Sequence, residues 1–173
     1  LLVFTLASGI LSAQTEAPTL ASSGRYEASV RTLTFVNEGV PDVPAIRTIP
    51  DAMTDRALLV DVWFPAQDDT PVIEDGPYPL IVMSHGLNGD RVQMAYLAEH
   101  LATYGYVVAS IDHEDPASLF LSLPAATFYR PLDIRFVLDE IEKRANRDDD
   151  TLFSGLVDAA RTGVIGYSYG GYG

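Results

Sequence analysis

The 173-residue chain contains no cysteine. Disulfides, thiolate metal sites and a cysteine nucleophile are therefore excluded. It is also poor in positive charge: Lys143 is its one lysine, and eleven basic residues face 24 acidic ones for a net charge of −13. Phosphate backbones need a basic surface, so nucleic acid is excluded as a partner; the balance reads instead as a well-solvated acidic surface. Histidine occurs three times. No apolar run reaches the roughly 20 residues that a membrane span requires. What is present is ordinary for a globular domain: 47% hydrophobic and 20% charged residues, with length enough for one core.

The first charged residue is Glu16. Residues 1–14 are apolar and end in the small and polar run Leu11-Ser12-Ala13-Gln14. This reads as part of a signal peptide cleaved near Ala13, with the basic start expected upstream of Leu1, so that export to the periplasm or beyond the cell is expected. The alternative is an ordinary N-terminal strand or helix. Residues 15–24 read as a linker, and residues 25–173 as the N-terminal part of one domain.

Within that domain, Glu27–Phe35 alternates apolar and polar residues as a half-exposed strand does. Asn37–Arg56, with three prolines, reads as a loop, and Leu58–Phe64 as a second strand. Leu80–Met83, Tyr106–Ile111 and Val164-Ile165 are short and continuously apolar, the mark of strands buried on both faces of a parallel sheet. Between them lie helical stripes. One is Met94, Leu97, Ala98 and Leu101 within Arg91–Tyr104, with Asp90 as expected cap and Gln93 three residues on. The other is Ile134, Val137, Leu138 and Ile141 within Pro131–Arg144, with Pro131 at the first helical position. Strands alternating with helices predict an α/β fold, a doubly wound and mostly parallel sheet with right-handed crossovers.

The last strand runs into Gly166-Tyr167-Ser168-Tyr169-Gly170, the G-x-S-x-G pattern of a nucleophile elbow. The spacing has a physical reason. The serine sits on a sharp strand-to-helix turn, and residues two positions away on either side must be small because the two backbones meet there. A helix start beneath the hydroxyl favours developing negative charge. A second loop, Ser84-His85-Gly86-Leu87-Asn88-Gly89, follows the Leu80–Met83 strand. In such a fold the backbone N–H groups of Leu87 and Tyr169 are the expected oxyanion hole, with Ser168 the nucleophile.

These residues carry a resemblance. Pro79–Pro116, VDVWFPA at Val60–Ala66, RPLDIRFVLDEI at Arg130–Ile141 and the final GLVDAARTGVIGYSYGGYG are similar to the platelet-activating-factor acetylhydrolase and predicted dienelactone-hydrolase-like branch of the α/β-hydrolases. The resemblance implies a Ser–His–Asp esterase without metal or other cofactor. The implied substrate is a small-molecule or lipid ester, with short-chain lipid or phospholipid acyl esters foremost. A polyester or cutin-type hydrolase, or a non-catalytic binding member of the fold, are the alternatives. Tyr167 stands where many members have His. True dienelactone hydrolases use a cysteine nucleophile, which this chain lacks. The fold's chain order is serine, acid, histidine, so the acid and base of the triad are expected beyond residue 173.

The histidines present are poor candidates for the base. His85 is expected to order its loop, and His100 to be solvated on the flank of a helix. His113, Glu114 and Asp115 are expected to cap a loop rather than bind a metal, since one His beside carboxylates lacks the necessary ligand set. Asp148-Asp149-Asp150 reads as a solvated turn, lacking a calcium loop's glycine. Asp115–Tyr129 is an apolar loop leaving the ligand-binding edge of the sheet. Phe120 and Leu121 either line an acyl pocket there or pack as a connector on the core.

Overall fold

The computed structural model describes residues 21–43, 48–116 and 119–173, with side chains at 119–122 left aside. The proposed leader lies outside the described residues. Six strands form one mixed sheet: β1 (Glu27–Pro41), β2 (Met53–Gln67), β3 (Thr70–Pro71), β4 (Tyr78–Ser84), β5 (Val107–Ile111) and β6 (Val157–Gly166), in the order β1-β2-β5-β4-β6 with β3 on β2. β1 and β2 are antiparallel, and β2 meets β5 antiparallel. β5, β4 and β6 are parallel. Helix α1 (Ala95–Thr103) follows β4, and α2 (Leu119–Ala145) follows β5.

The two helices cover opposite faces. Met94 and Ala98, at and beyond the start of α1, pack with Met83 and Val108. Ile134, Val137 and Ile141 of α2 pack with Phe35, Leu58, Val60, Leu80 and Phe153. This is the doubly wound α/β arrangement, and it explains the burial patterns. β5 is buried at every position because it lies between two helical layers. The outer half of β2 alternates exposed and buried residues from Met53 to Val60, where one face is open.

Four expectations change. The expected loop Asn37–Arg56 is strand at both ends, because β1 continues to Pro41 and β2 begins at Met53, leaving Arg56 buried inside a ladder. α2 does not start at Pro131: it is a 27-residue helix with Pro124 and Pro131 inside it. Each proline removes one backbone hydrogen bond. The buried face of Ala125, Ala126, Tyr129 and Arg130 anchors the helix through both. α1 begins at Ala95, with Met94 as N-cap and no side-chain cap. Asp90 accepts from the Val92 N–H at 3.1 Å, while Gln93 is engaged elsewhere. On β6, Val164 is 51% exposed rather than covered on both faces, and β4 is the strand's single sheet partner among the described residues.

Candidate active site

β4 and β6 run side by side and end together, with Ser84 opposite Gly166. The chain leaves β6 through Tyr167, still extended at φ −101° and ψ 131°, whose N–H donates to the Ser84 carbonyl at 3.1 Å. At Ser168 φ swings to +50°, a left-handed conformation that is costly for a residue with a side chain. The Gly170 N–H then closes a turn onto the Tyr167 carbonyl at 2.8 Å, and a short 3₁₀ helix spans Ser168–Tyr172. The flanking glycines have no space for a side chain. A Cβ on Gly166 would stand 2.2 Å from the Gly170 carbonyl oxygen, and one on Gly170 would stand 2.0 Å from the Ser84 oxygen. Ser168 is exposed at the end of the parallel strands.

The second loop is held from several directions. Gly86 donates its N–H to Gln93 Oε1 at 2.8 Å, which is why Gln93 does not complete a capping box on Asp90. The Gly86 carbonyl accepts from three donors: His85 Nδ1 at 2.6 Å, the Gly89 N–H at 3.0 Å and Arg130 Nη2 at 3.2 Å. Leu87 is half-buried. Asn88 has φ +56° and donates its N–H to Asp115 Oδ2 at 3.1 Å. Asp115 also pairs with Arg130 Nη2 at 2.6 Å.

His85 has both ring nitrogens engaged. Its Nε2 accepts from the His113 backbone N–H at 3.1 Å, so the proton sits on Nδ1 and points at Gly86. Burial pushes the ring's pKa below the ordinary imidazole value, against the Gly86 bond that favours protonation. His100 is half-buried against Tyr104, with ring centroids 5.0 Å apart. Within 148–150, Asp150 caps the turn that follows, accepting from the Leu152 and Phe153 N–H groups at 2.9 and 2.8 Å.

Beneath the loop lies a buried polar relay that the sequence reading missed. Ser84 Oγ is 2.9 Å from His113 Nε2, His113 Nδ1 is 2.9 Å from Asp133 Oδ2, and Arg56 grips both Asp133 oxygens at 3.1 and 2.8 Å. Arg130 Nη1 donates to Ser84 Oγ at 3.3 Å and to the His85 carbonyl. The hydroxyl proton of Ser84 thus goes to His113. This Ser–His–Asp order mimics a catalytic triad, but Ser84 is completely buried and no substrate reaches it. The relay ties β4, β5, β2 and α2 together. One signal for it stood in the sequence: Arg130 lies four residues before Ile134 on the buried stripe of α2.

The structure brings the Ser168 elbow and the Leu87 loop to the same end of adjacent strands, with Tyr169 directly after the serine. The Tyr169 hydroxyl meets Thr127 Oγ1 of α2, and the ring lies 5.9 Å from the Arg130 guanidinium carbon. Asp115–Tyr129 is helical from Leu119, and the side chains of Phe120 and Leu121 lie outside the described residues. On the other flank, Gln93, Met94, Tyr96 and Tyr167 line a cleft of about 300 Å³.

A mixed sheet with a parallel β5-β4-β6 half and helices on both faces, with a left-handed serine between two small residues at the end of a strand, defines an α/β-hydrolase. The chain belongs to the family described as platelet-activating factor acetylhydrolase, isoform II, whose profile matches residues 36–127. It is 34% identical over 74 residues to a platelet-activating factor acetylhydrolase of Cavia porcellus, covering 43% of this chain and 16% of that protein. It is 29% identical over 116 residues to the cutinase est1 of Thermobifida alba, covering 65% of this chain and 32% of the cutinase. A ferulic acid esterase from Streptomyces cinnamoneus superposes with a TM-score of 0.65 at 25% identity, covering 88% of this chain and 55% of that one. The chain thus spans well under two thirds of these relatives' length. No helix among the described residues is long and apolar enough to cross a membrane.

Proposed function

We propose that the protein hydrolyses carboxylic esters through an acyl-enzyme on Ser168. The observation that carries the reading is the elbow itself: an exposed serine at φ +50°, held where neither Gly166 nor Gly170 has room for a Cβ. Such strain persists only where the surroundings over-determine it, and it concentrates at functional sites. The hydroxyl attacks the ester carbonyl and passes its proton to a histidine base as the tetrahedral intermediate forms. The N–H groups of Leu87 and Tyr169 receive the oxyanion, the alcohol leaves, and water releases the acid. His85 and His113 are committed to the loop and the relay, and all three histidines precede the serine. The fold's chain order places the base C-terminal to Ser168.

Short-chain lipid or phospholipid acyl esters are the proposed substrates, since the matched family includes acetylhydrolases; polyester hydrolysis is the second reading, supported by the longer match to a cutinase. Export with loss of residues 1–14 is proposed on the apolar start. The full-length gene product treated with a fluorophosphonate should carry the adduct on the peptide containing Ser168. An unlabelled Ser168 beside ongoing ester turnover would refute the mechanism.

A further inference from the structure

We propose that Arg130 is a positioning residue for the oxyanion loop, acting through the Gly86–Leu87 peptide. The inference rests on the esterase reading above. The peptide bond is planar and trans, so its N–H points opposite to its C=O. Whatever fixes the Gly86 carbonyl therefore aims the Leu87 N–H. Three donors converge on that oxygen, and Arg130 Nη2, at 3.2 Å, is the one delivered from another layer of the fold. The same guanidinium bonds the preceding carbonyl, that of His85. Two successive peptides are thus held by one rigid planar fork, a task that suits Arg and that the point charge of Lys performs poorly.

Arg130 is itself immobilised. It is completely buried, and its Nη2 pairs at 2.6 Å with Asp115, whose side chain is 6% exposed. Asp115 in turn holds the Asn88 N–H at 3.1 Å, so the loop is gripped on both sides of Leu87. From the same helix, Thr127 meets the Tyr169 hydroxyl, one turn from Arg130. α2 therefore braces both residues whose N–H groups form the proposed hole. The Ser84–His113–Asp133 relay completes the support, because Ser84 Oγ also accepts from Arg130 Nη1 at 3.3 Å.

The test uses Arg130→Gln, which is uncharged and lacks the fork, in the full-length gene product. Displacing a catalytic group by about 1 Å costs on the order of 10²-fold in rate. kcat per folded molecule should fall about 10²-fold by that measure, with KM changed only a few-fold. Affinity for a trifluoromethyl ketone, whose serine adduct carries the oxyanion, should fall in parallel with kcat/KM, whereas a merely structural role would lower thermal stability alone. Wild-type kcat and inhibitor affinity in Arg130→Gln would overturn the proposal. If that variant does not fold, Asp115→Asn decides: it retains an acceptor for Asn88 but loses the charge that holds Arg130. Reduced inhibitor affinity supports the assignment, and unchanged affinity rejects it. Fluorophosphonate labelling separates the two layers. A labelled wild-type Ser168 with an unaffected Arg130→Gln removes only the positioning role; an unlabelled Ser168 removes the esterase reading and this inference with it.

Discussion

Gly170 and Gly171 are adjacent, yet the structure assigns them opposite tolerances to a methyl group. A Cβ on Gly170 would lie 2.0 Å from the Ser84 oxygen and 2.6 Å from the His85 oxygen, whereas one on Gly171 would meet nothing closer than the Gly166 oxygen at 3.6 Å. The atoms around Gly170 are backbone at the end of β4, part of the parallel ladder, and do not rotate aside. Relief requires the elbow and β4 to separate by about 1 Å or more, well beyond the few tenths that a packed interior gives freely. Overpacking of this kind costs roughly 1–3 kcal/mol. Because the separation moves Ser168 relative to the Leu87 loop, the rate should drop by about 10²-fold as well. Gly171→Ala has space and should be neutral, or gain up to about 1 kcal/mol from a less flexible unfolded chain. Urea unfolding and hydrolysis of an activated ester, run on both variants of the full-length gene product, give the comparison. Equal stability and equal activity in the two variants would refute the close approach of elbow and strand on which the site depends.

Asp133→Asn should destabilise the protein by about 3–5 kcal/mol, because it leaves the buried Arg56 uncompensated; Asp133 is fully buried and bonded to both Arg56 and His113, and a loss below 1 kcal/mol in urea unfolding would contradict this. Since His85 is depressed below the ordinary value of 6.5, its contribution to stability is complete above that pH and is lost as pH falls toward the folded-state pKa, where the unfolded chain takes up a proton first. Melts at pH 7.5 and 5.5 should therefore differ less in His85→Gln than in wild type, and an identical difference would exclude His85 as the source. Replacing Phe120 and Leu121 with Ala should shift the ratio of kcat/KM between short and long acyl esters, since one methylene in an apolar pocket is worth about 1–3 kcal/mol; an unchanged chain-length profile with activity intact would assign this segment of α2 to packing.

The parts of the fold legible in the sequence were those set by local chemistry. The continuous apolar runs of β4 and β5 read as doubly covered strands, and Gly166-x-Ser168-x-Gly170 announced a turn whose geometry the structure shows. The β1–β2 hairpin arms were not legible in full, because prolines at positions 41 and 50 read as loop while the long-range ladder carries β1 up to Pro41 and starts β2 at Met53. Pro131 misled in a similar way. It is permitted at a helix start by its missing N–H, yet the buried face of Tyr129, Arg130 and Asp133 holds the helix together through it. Gln93 fitted a capping box by spacing, but the Gly86 N–H, seven residues back, took its side chain. The Arg56–Asp133–His113–Ser84 relay was the least legible feature. Its members lie on β2, α2, the turn after β5 and the end of β4, and only tertiary packing brings them within 3.1 Å.

The central claim is tested most directly by ester turnover in Ser168→Ala, measured on the full-length gene product beside a thermal melt. The serine is exposed and its side chain packs in no core cluster, and alanine bears the same left-handed backbone cost, so the variant should melt at about the wild-type temperature. Its kcat should fall by several orders of magnitude, leaving only what binding and the oxyanion hole provide. Retention of wild-type turnover in a folded Ser168→Ala protein would show that the elbow is not the reaction centre.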